Sequence, residues 1–91
     1  MSRLDDDRKK IDRIDSQLAA LFKERFNVVR DVIDYKIENR LPILNAGREK
    51  EIIEKNTKLI EDEDIREYFK VWYEELLLLS KEYQKQIQDE K

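Results

Sequence analysis

From Arg3 to Arg40 the chain runs for thirty-eight residues without a Gly or a Pro, and its apolar positions recur at heptad spacing. Leu4, Ile11, Leu18 and Val32 lie on one line, with Ile14, Leu21, Val28 and Tyr35 on the line beside it. The pattern predicts a single helix over about residues 3–40. Ser2, with Asp5 three residues on, resembles a capping box at its start, where Asp5 to Asp7 suit the positive end of the helix. Pro42 sets the other limit, because it disfavours a helical conformation at Leu41 and carries no backbone N–H.

After the short connection Leu41-Pro42-Ile43-Leu44, Asn45 is a good N-cap for a second helix reaching about residue 60, with Ile52, Ile53, Leu59 and Ile60 on its apolar face. Asp64 followed by Glu67 gives a capping pattern for a third helix, expected over about residues 64–86. Ile65, Phe69, Trp72, Leu76, Leu79 and Tyr83 mark its core stripe. Tyr73, Leu77, Ser80, Gln84 and Ile87 run beside that stripe as a flank, interrupted by two polar residues one turn apart. The expected fold is therefore all-α, three helices in one domain spanning residues 1–91.

Length adds a constraint that the pattern alone does not express. A helix of this extent is about 57 Å long, whereas a compact chain of about 100 residues has a radius of gyration of about 13 Å. The remaining residues cannot wrap it, so pairing of the long helix in an intertwined homodimer is the simplest way to cover its seam. Charged residues make up 45% of the chain, but the signs are mixed and Glu51/Lys55 and Glu54/Lys58 stand four apart, which marks most of them as solvated helical surface. A net charge of −3 with no basic run lacks the footprint of a nucleic-acid binder. No apolar segment is long enough to span a membrane and no signal-peptide pattern opens the chain, so a cytoplasmic protein is expected. Without His or Cys, thiol chemistry is ruled out and only carboxylates remain as metal ligands; none cluster at metal-loop spacing, and neither metal nor cofactor is expected.

Against that background, a few polar residues interrupt apolar rows. Arg25 breaks the first heptad line, and Arg8 and Lys36 stand in a third column, Arg8, Asp15, Phe22, Val29, Lys36. On a straight helix Arg25 and Lys36 are about 16 Å apart along the axis and about 20° apart around it, so both can reach one small anion. Arg8 lies about 25 Å from Arg25 and about 100° round the helix, too far to serve the same pocket easily on its own chain. Arg48 and Glu49 stand one turn before the apolar face of the second helix, and Ser80 and Gln84 interrupt the third. A cation in an apolar seam is costly unless an anion or hydrogen-bonding partner is buried with it. Three cations facing one acid call for an anionic ligand, most naturally a small dicarboxylate with a hydroxyl for Glu49.

These residues resemble, in order along the chain, the all-helical class of chorismate mutases, three-helix chains that pair into a dimer. The resemblance covers nearly the whole chain. It rests on Arg8-x-x-Ile11-x-x-Ile14-Asp15, Leu21-x-x-x-Arg25, Lys36, Pro42-Ile43, Arg48-Glu49 and Ser80-x-x-x-Gln84. It implies that Arg25 and Arg48 bind the carboxylates of chorismate, with Arg8 reaching in from the partner chain. Lys36 would contact a carboxylate and the ether oxygen, Gln84 would donate to that oxygen, Glu49 would accept from the ring hydroxyl, and Ser80 would support the ring carboxylate. At position 45 the family commonly has Asp and this chain has Asn, but the family contact there is largely through the backbone amide, so affinity rather than activity should change.

The implied reaction is the [3,3] rearrangement of chorismate to prephenate in phenylalanine and tyrosine biosynthesis, with Arg25, Lys36 and Gln84 as the catalytic group. Two other readings compete with it. An isochorismate pyruvate lyase of the same fold would see the same carboxylates and ether oxygen. A non-catalytic helical dimerisation or regulatory module would not need the polar set, since Leu at position 25 would serve a scaffold better. Some family members associate with another enzyme of the shikimate pathway, and such a partner is compatible with this chain.

Overall fold

The computed structural model describes residues 2–91 and contains three helices: α1, Arg3–Glu38; α2, Ala46–Thr57; and α3, Glu63–Glu90. Among the described residues there is no strand, and no helix is long and apolar enough to cross a membrane. Ser2 caps α1 as expected, its hydroxyl accepting from the Asp5 amide at 3.1 Å. Asn45 caps α2 in the same way, its Oδ1 accepting from the Arg48 amide at 3.0 Å.

The helix ends depart from the sequence expectation, each for a local reason. α1 stops at Glu38, two residues early, because Arg40 adopts the left-handed region at φ 54°. The Leu41 amide then donates to the Lys36 carbonyl at 2.8 Å and the Arg40 amide to the Ile37 carbonyl at 3.3 Å, the paired bonds of a Schellman ending just ahead of Pro42. α2 stops at Thr57 rather than residue 60, because the amides of Leu59 and Ile60 turn back to Asn56 and Thr57. The Arg66 side chain donates to the carbonyls of Ile60 and Glu61 at 2.9 and 3.2 Å, which satisfies a connection that helical bonds would otherwise have claimed. The cap of α3 is Asp62, accepting from the Asp64 amide at 2.9 Å, and not Asp64 itself. At its far end α3 continues past residue 86, because the extra turn buries Ile87 and lets Lys91 pair with Asp34 of α1 at 2.8 Å.

α3 runs in the same direction as α1, as the cross-links Arg25 to Ser80, Lys36 to Gln84 and Asp34 to Lys91 show. α3 packs on both other helices, while α1 and α2 do not pack on each other. The core of the chain is Tyr73, Leu76 and Leu77 of α3, against which Phe26 of α1, Ile52 and Ile53 of α2 and Phe69 are packed. The column expected to flank α3 is thus the buried one: Tyr73, Leu77, Ser80, Gln84 and Ile87 are all inside. Ile65, Trp72 and Leu79 of the expected core stripe are exposed, because α1 and α2 cover the neighbouring side of α3. Leu59, expected on the apolar face of α2, is also exposed beyond the helix end.

On α1 the covered face is Phe26, Val29, Ile33 and Ile37, at spacings suited to packing a straight helix against α3. Ile33 is fully buried, although it falls in neither heptad line. The N-terminal half of α1 is bare. Every described residue up to Glu24 is exposed, and Leu4, Ile11, Ile14, Leu18 and Leu21 each keep between 45% and 60% of their surface open. The chain measures 56 × 27 × 14 Å with a radius of gyration of 16.7 Å, against about 12 Å for a compact chain of its length.

Arg40 should be the least favourable residue of the α1 ending. A non-Gly side chain in the left-handed region costs about 1–2 kcal/mol, and Gly at the same place returns about half of that to unfolded-chain freedom. Arg40→Gly is expected to stabilise the fold by about 0.5–1 kcal/mol, raising Tm by about 2–6 °C in a thermal melt. An unchanged or lower Tm would mean that the Arg40 side chain contributes more than its conformation costs.

Candidate active site

The gap between α1 and α2, floored by α3, is a cavity of about 330 Å³. It is lined by seven of the eight residues singled out in the sequence: Arg25 and Lys36 from α1, Asn45, Arg48 and Glu49 from the start of α2, and Ser80 and Gln84 from α3. Their convergence follows from the packing. Arg25, Val29 and Lys36 share one edge of the covered face of α1, and Ser80 and Gln84 lie one turn apart on the buried face of α3. The Schellman ending then turns the chain so that α2 begins opposite the last turn of α1.

The polar groups deepest in this cavity are matched to neutral partners. Arg25 Nη1 donates to Ser80 Oγ at 2.6 Å, and Ser80 Oγ in turn donates to the Leu76 carbonyl at 2.9 Å. Lys36 Nζ donates to the Ile43 carbonyl at 2.7 Å and to Gln84 Oε1 at 3.4 Å. Gln84 Nε2 donates to the Ser80 carbonyl at 3.3 Å, which leaves its second N–H available. Ser80 and Gln84 are only 4% and 7% exposed, so the pair sits within a core where apolar residues would have been simpler to bury. At the mouth, Glu49 pairs with Lys81 at 3.0 Å and Arg48 pairs with Glu51 at 3.3 Å.

Arg8 does not line this cavity and is exposed on the bare half of α1. Two contributors escaped the sequence reading. The Ile43 carbonyl is a backbone group that no side-chain pattern reports. Lys81, beside Ser80 and three residues before Gln84, reads as one more surface charge until α2 is seen to bring Glu49 to it. Lining the cavity are four cations, Arg25, Lys36, Arg48 and Lys81, and one carboxylate, Glu49. Such an enclosure favours a ligand carrying more than one negative charge. Fixed N–H donors backed by neutral oxygens can stabilise charge that develops on an oxygen atom during a reaction. Among the described residues no group of His, Cys, Asp or Glu could hold a metal ion.

Comparison with known proteins identifies the family of the chain. Residues 7–85 match the family described as chorismate mutase type II. A chorismate mutase of Methanocaldococcus jannaschii is 31% identical over 94 aligned positions, which cover 98% of this chain and 95% of that protein. The chain belongs to the chorismate mutase type II family. Chorismate mutases are isomerases, and that activity class holds for this chain. No solved structure matches it significantly. An intramolecular rearrangement needs no nucleophile, and what the cavity offers is cations and hydrogen-bond donors.

Arg25 also lines a second, mainly apolar groove of about 390 Å³ with Leu18, Leu21, Phe22, Trp72 and Leu76, so it stands between the polar pocket and the bare seam. Arg25→Leu would remove its charge from both. Ser80 Oγ keeps its bond to the Leu76 carbonyl, so no donor is stranded. The variant is expected to stay within about 1 kcal/mol of the wild-type stability while kcat/KM for chorismate falls about 10²–10³-fold. Full activity in Arg25→Leu would remove Arg25 from the site.

Proposed function

We propose that this pocket rearranges chorismate to prephenate, with the whole chain 1–91 acting as one functional domain in aromatic amino acid biosynthesis in the cytoplasm. The observation that carries the reading is the juxtaposition of Arg25, Lys36, Arg48, Glu49, Ser80 and Gln84 around one cavity in a chain of this family. In the reaction a C–O bond breaks as a C–C bond forms within one molecule, and no proton is transferred. The site has two tasks: to hold a flexible dicarboxylate in a compact, chair-like conformer, and to stabilise negative charge growing on the ether oxygen.

The residues divide those tasks by chemistry. Arg25 and Arg48 bind the two carboxylates, with Ser80 fixing the Arg25 guanidinium through its 2.6 Å bond and so supporting the ring carboxylate indirectly. Arg48 exchanges its exposed contact with Glu51 for the ligand. Lys36 is anchored on the Ile43 carbonyl, from where its ammonium serves a carboxylate and the ether oxygen. Gln84 offers its remaining N–H to the same oxygen, and Glu49 accepts from the ring hydroxyl. The backbone amide of Asn45, at the start of α2, adds a donor.

We further propose an intertwined homodimer in which the bare heptad faces of two α1 helices pair. The exposed leucines and isoleucines before Arg25 support it, as does the groove of Leu18, Phe22 and Trp72 that meets the pocket at Arg25. Arg8 would then enter the partner's pocket. Association with another shikimate-pathway enzyme is compatible with this arrangement.

Purified protein supplied with chorismate should convert it to prephenate, followed by loss of chorismate absorbance; no turnover would sink the reading. Gln84→Glu gives the same assay a sharper edge. A carboxyl donates to the ether oxygen only when protonated and opposes the growing charge when ionised. Wild-type kcat/KM should be nearly flat from about pH 6 to 8, away from the reference carboxyl and lysine values. Gln84→Glu should be most active at about pH 5 and lose rate as the pH rises and the introduced carboxyl ionises. Parallel, equal profiles would place Gln84 outside the chemistry.

The shared site has its own test. Mixed chains bearing Arg8→Ala and Arg25→Ala should form heterodimers with one complete pocket and recover up to about half of the wild-type activity per dimer, since one of two pockets is intact. Verified heterodimers with no recovery would refute the exchange of Arg8 between chains.

A further inference from the structure

The cavity holds one acid among several cations, and an unassigned carboxylate there would pair with the nearest of them and cancel part of the charge meant for the ligand. The structure avoids this. Arg25 and Lys36 are held by the neutral oxygens of Ser80, Gln84 and Ile43, so both keep their charge for an incoming anion. Arg48 turns outward to Glu51 on its own helix. Glu49 Oε1 is taken at 3.0 Å by Lys81, a residue of α3 that lies outside the set implied by the sequence. Their side chains are 24% and 35% exposed, which puts the pair at the mouth of the cavity.

The geometry points to Lys81 as a positioning residue for chorismate: it holds the Glu49 carboxylate away from the pocket arginines and aims it at the ring hydroxyl. The inference rests on the proposed function and extends it to a residue in a different role. Lys81 occupies Oε1, and among the described residues no hydrogen bond engages Oε2, which remains to accept from the substrate. A lysine suits the position because its ammonium is a compact charge on a flexible stem that follows the carboxylate as the ligand enters. Because α2 and α3 carry the two partners, the pair also sets the distance between the hydroxyl acceptor on α2 and the donors Ser80 and Gln84 on α3.

Contact with the ring hydroxyl is made before and during the rearrangement alike, so its loss appears in KM rather than kcat. Steady-state turnover of chorismate by wild type, Lys81→Met, Lys81→Arg, Glu49→Gln and the double variant Glu49→Gln/Lys81→Met tests the assignment. Lys81→Met is expected to raise KM about tenfold with kcat within about twofold, and Lys81→Arg to recover to within about threefold of wild type. With Glu49→Gln already in place, Lys81→Met should change KM less than about twofold further, because the group it positions is gone. Thermal melts of each variant separate this from a purely structural bridge, which would lower Tm and leave KM alone. An unchanged KM in Lys81→Met overturns the assignment, as does an equal loss in both backgrounds, which would make Lys81 an independent contact to the ligand. Wild-type protein that does not turn over chorismate overturns the proposed function and this inference together, whereas an active wild type with indifferent Lys81 variants overturns the inference alone.

Discussion

The 2.6 Å hydrogen bond from Arg25 to Ser80 joins the two requirements that shape this molecule. Arg25 sits where an apolar residue would give α1 a better seam, and a guanidinium there is tolerable only if its donors find acceptors. Ser80 supplies one from the middle of α3, and is itself held by the Leu76 carbonyl. That link fixes the register of α3 on α1. Once it is set, Gln84 falls one turn further along, opposite Lys36, and the Ile43 carbonyl closes over the ammonium.

Pre-organisation is the common thread of these contacts. Arg25 and Lys36 are oriented by neutral oxygens and not by carboxylates, so their positive charge is not compensated inside the pocket. For the proposed reaction, in which charge shifts within one molecule and no proton moves, fixed donors of this kind are the useful form of catalytic power, and general acid–base chemistry is not required. The absence of His and Cys from the sequence is therefore no handicap to an isomerase of this family.

The long reach of α1 explains the elongated shape. Its C-terminal half packs on α3, while its N-terminal half carries a regular apolar stripe that no described residue elsewhere in the chain covers. Such a face is expensive to leave in water, at about 25 cal/mol per Å² of apolar surface. The polar pocket and the open apolar groove share Arg25, so covering the seam and completing the site are coupled events in the proposed dimer.

The helical class, the three segments, the caps at Ser2 and Asn45, and seven residues that line one cavity were legible in the sequence, because local hydrogen bonding and periodicity act over a few residues. Arg25 and Lys36 could be paired by helix geometry alone, and Arg8 excluded from the same pocket by that geometry. Other features depended on what lay across from each helix. A heptad template directs attention to a seam between long helices, so it passed over Ile33, whose burial comes from the wider stripe that a straight helix presents to α3. The same periodicity marks two adjacent columns on α3, and only the placement of α1 and α2 decides that Tyr73, Leu77 and Ile87 are inside while Ile65 and Trp72 are not. The end of α2 depended on Arg66 reaching back to two loop carbonyls, and the place of Lys81 in the pocket on the approach of Glu49 from another helix. What the chain determines by itself is which faces are apolar and where its charges interrupt them; which face is covered, and which charge meets which, is decided by packing between segments far apart in sequence.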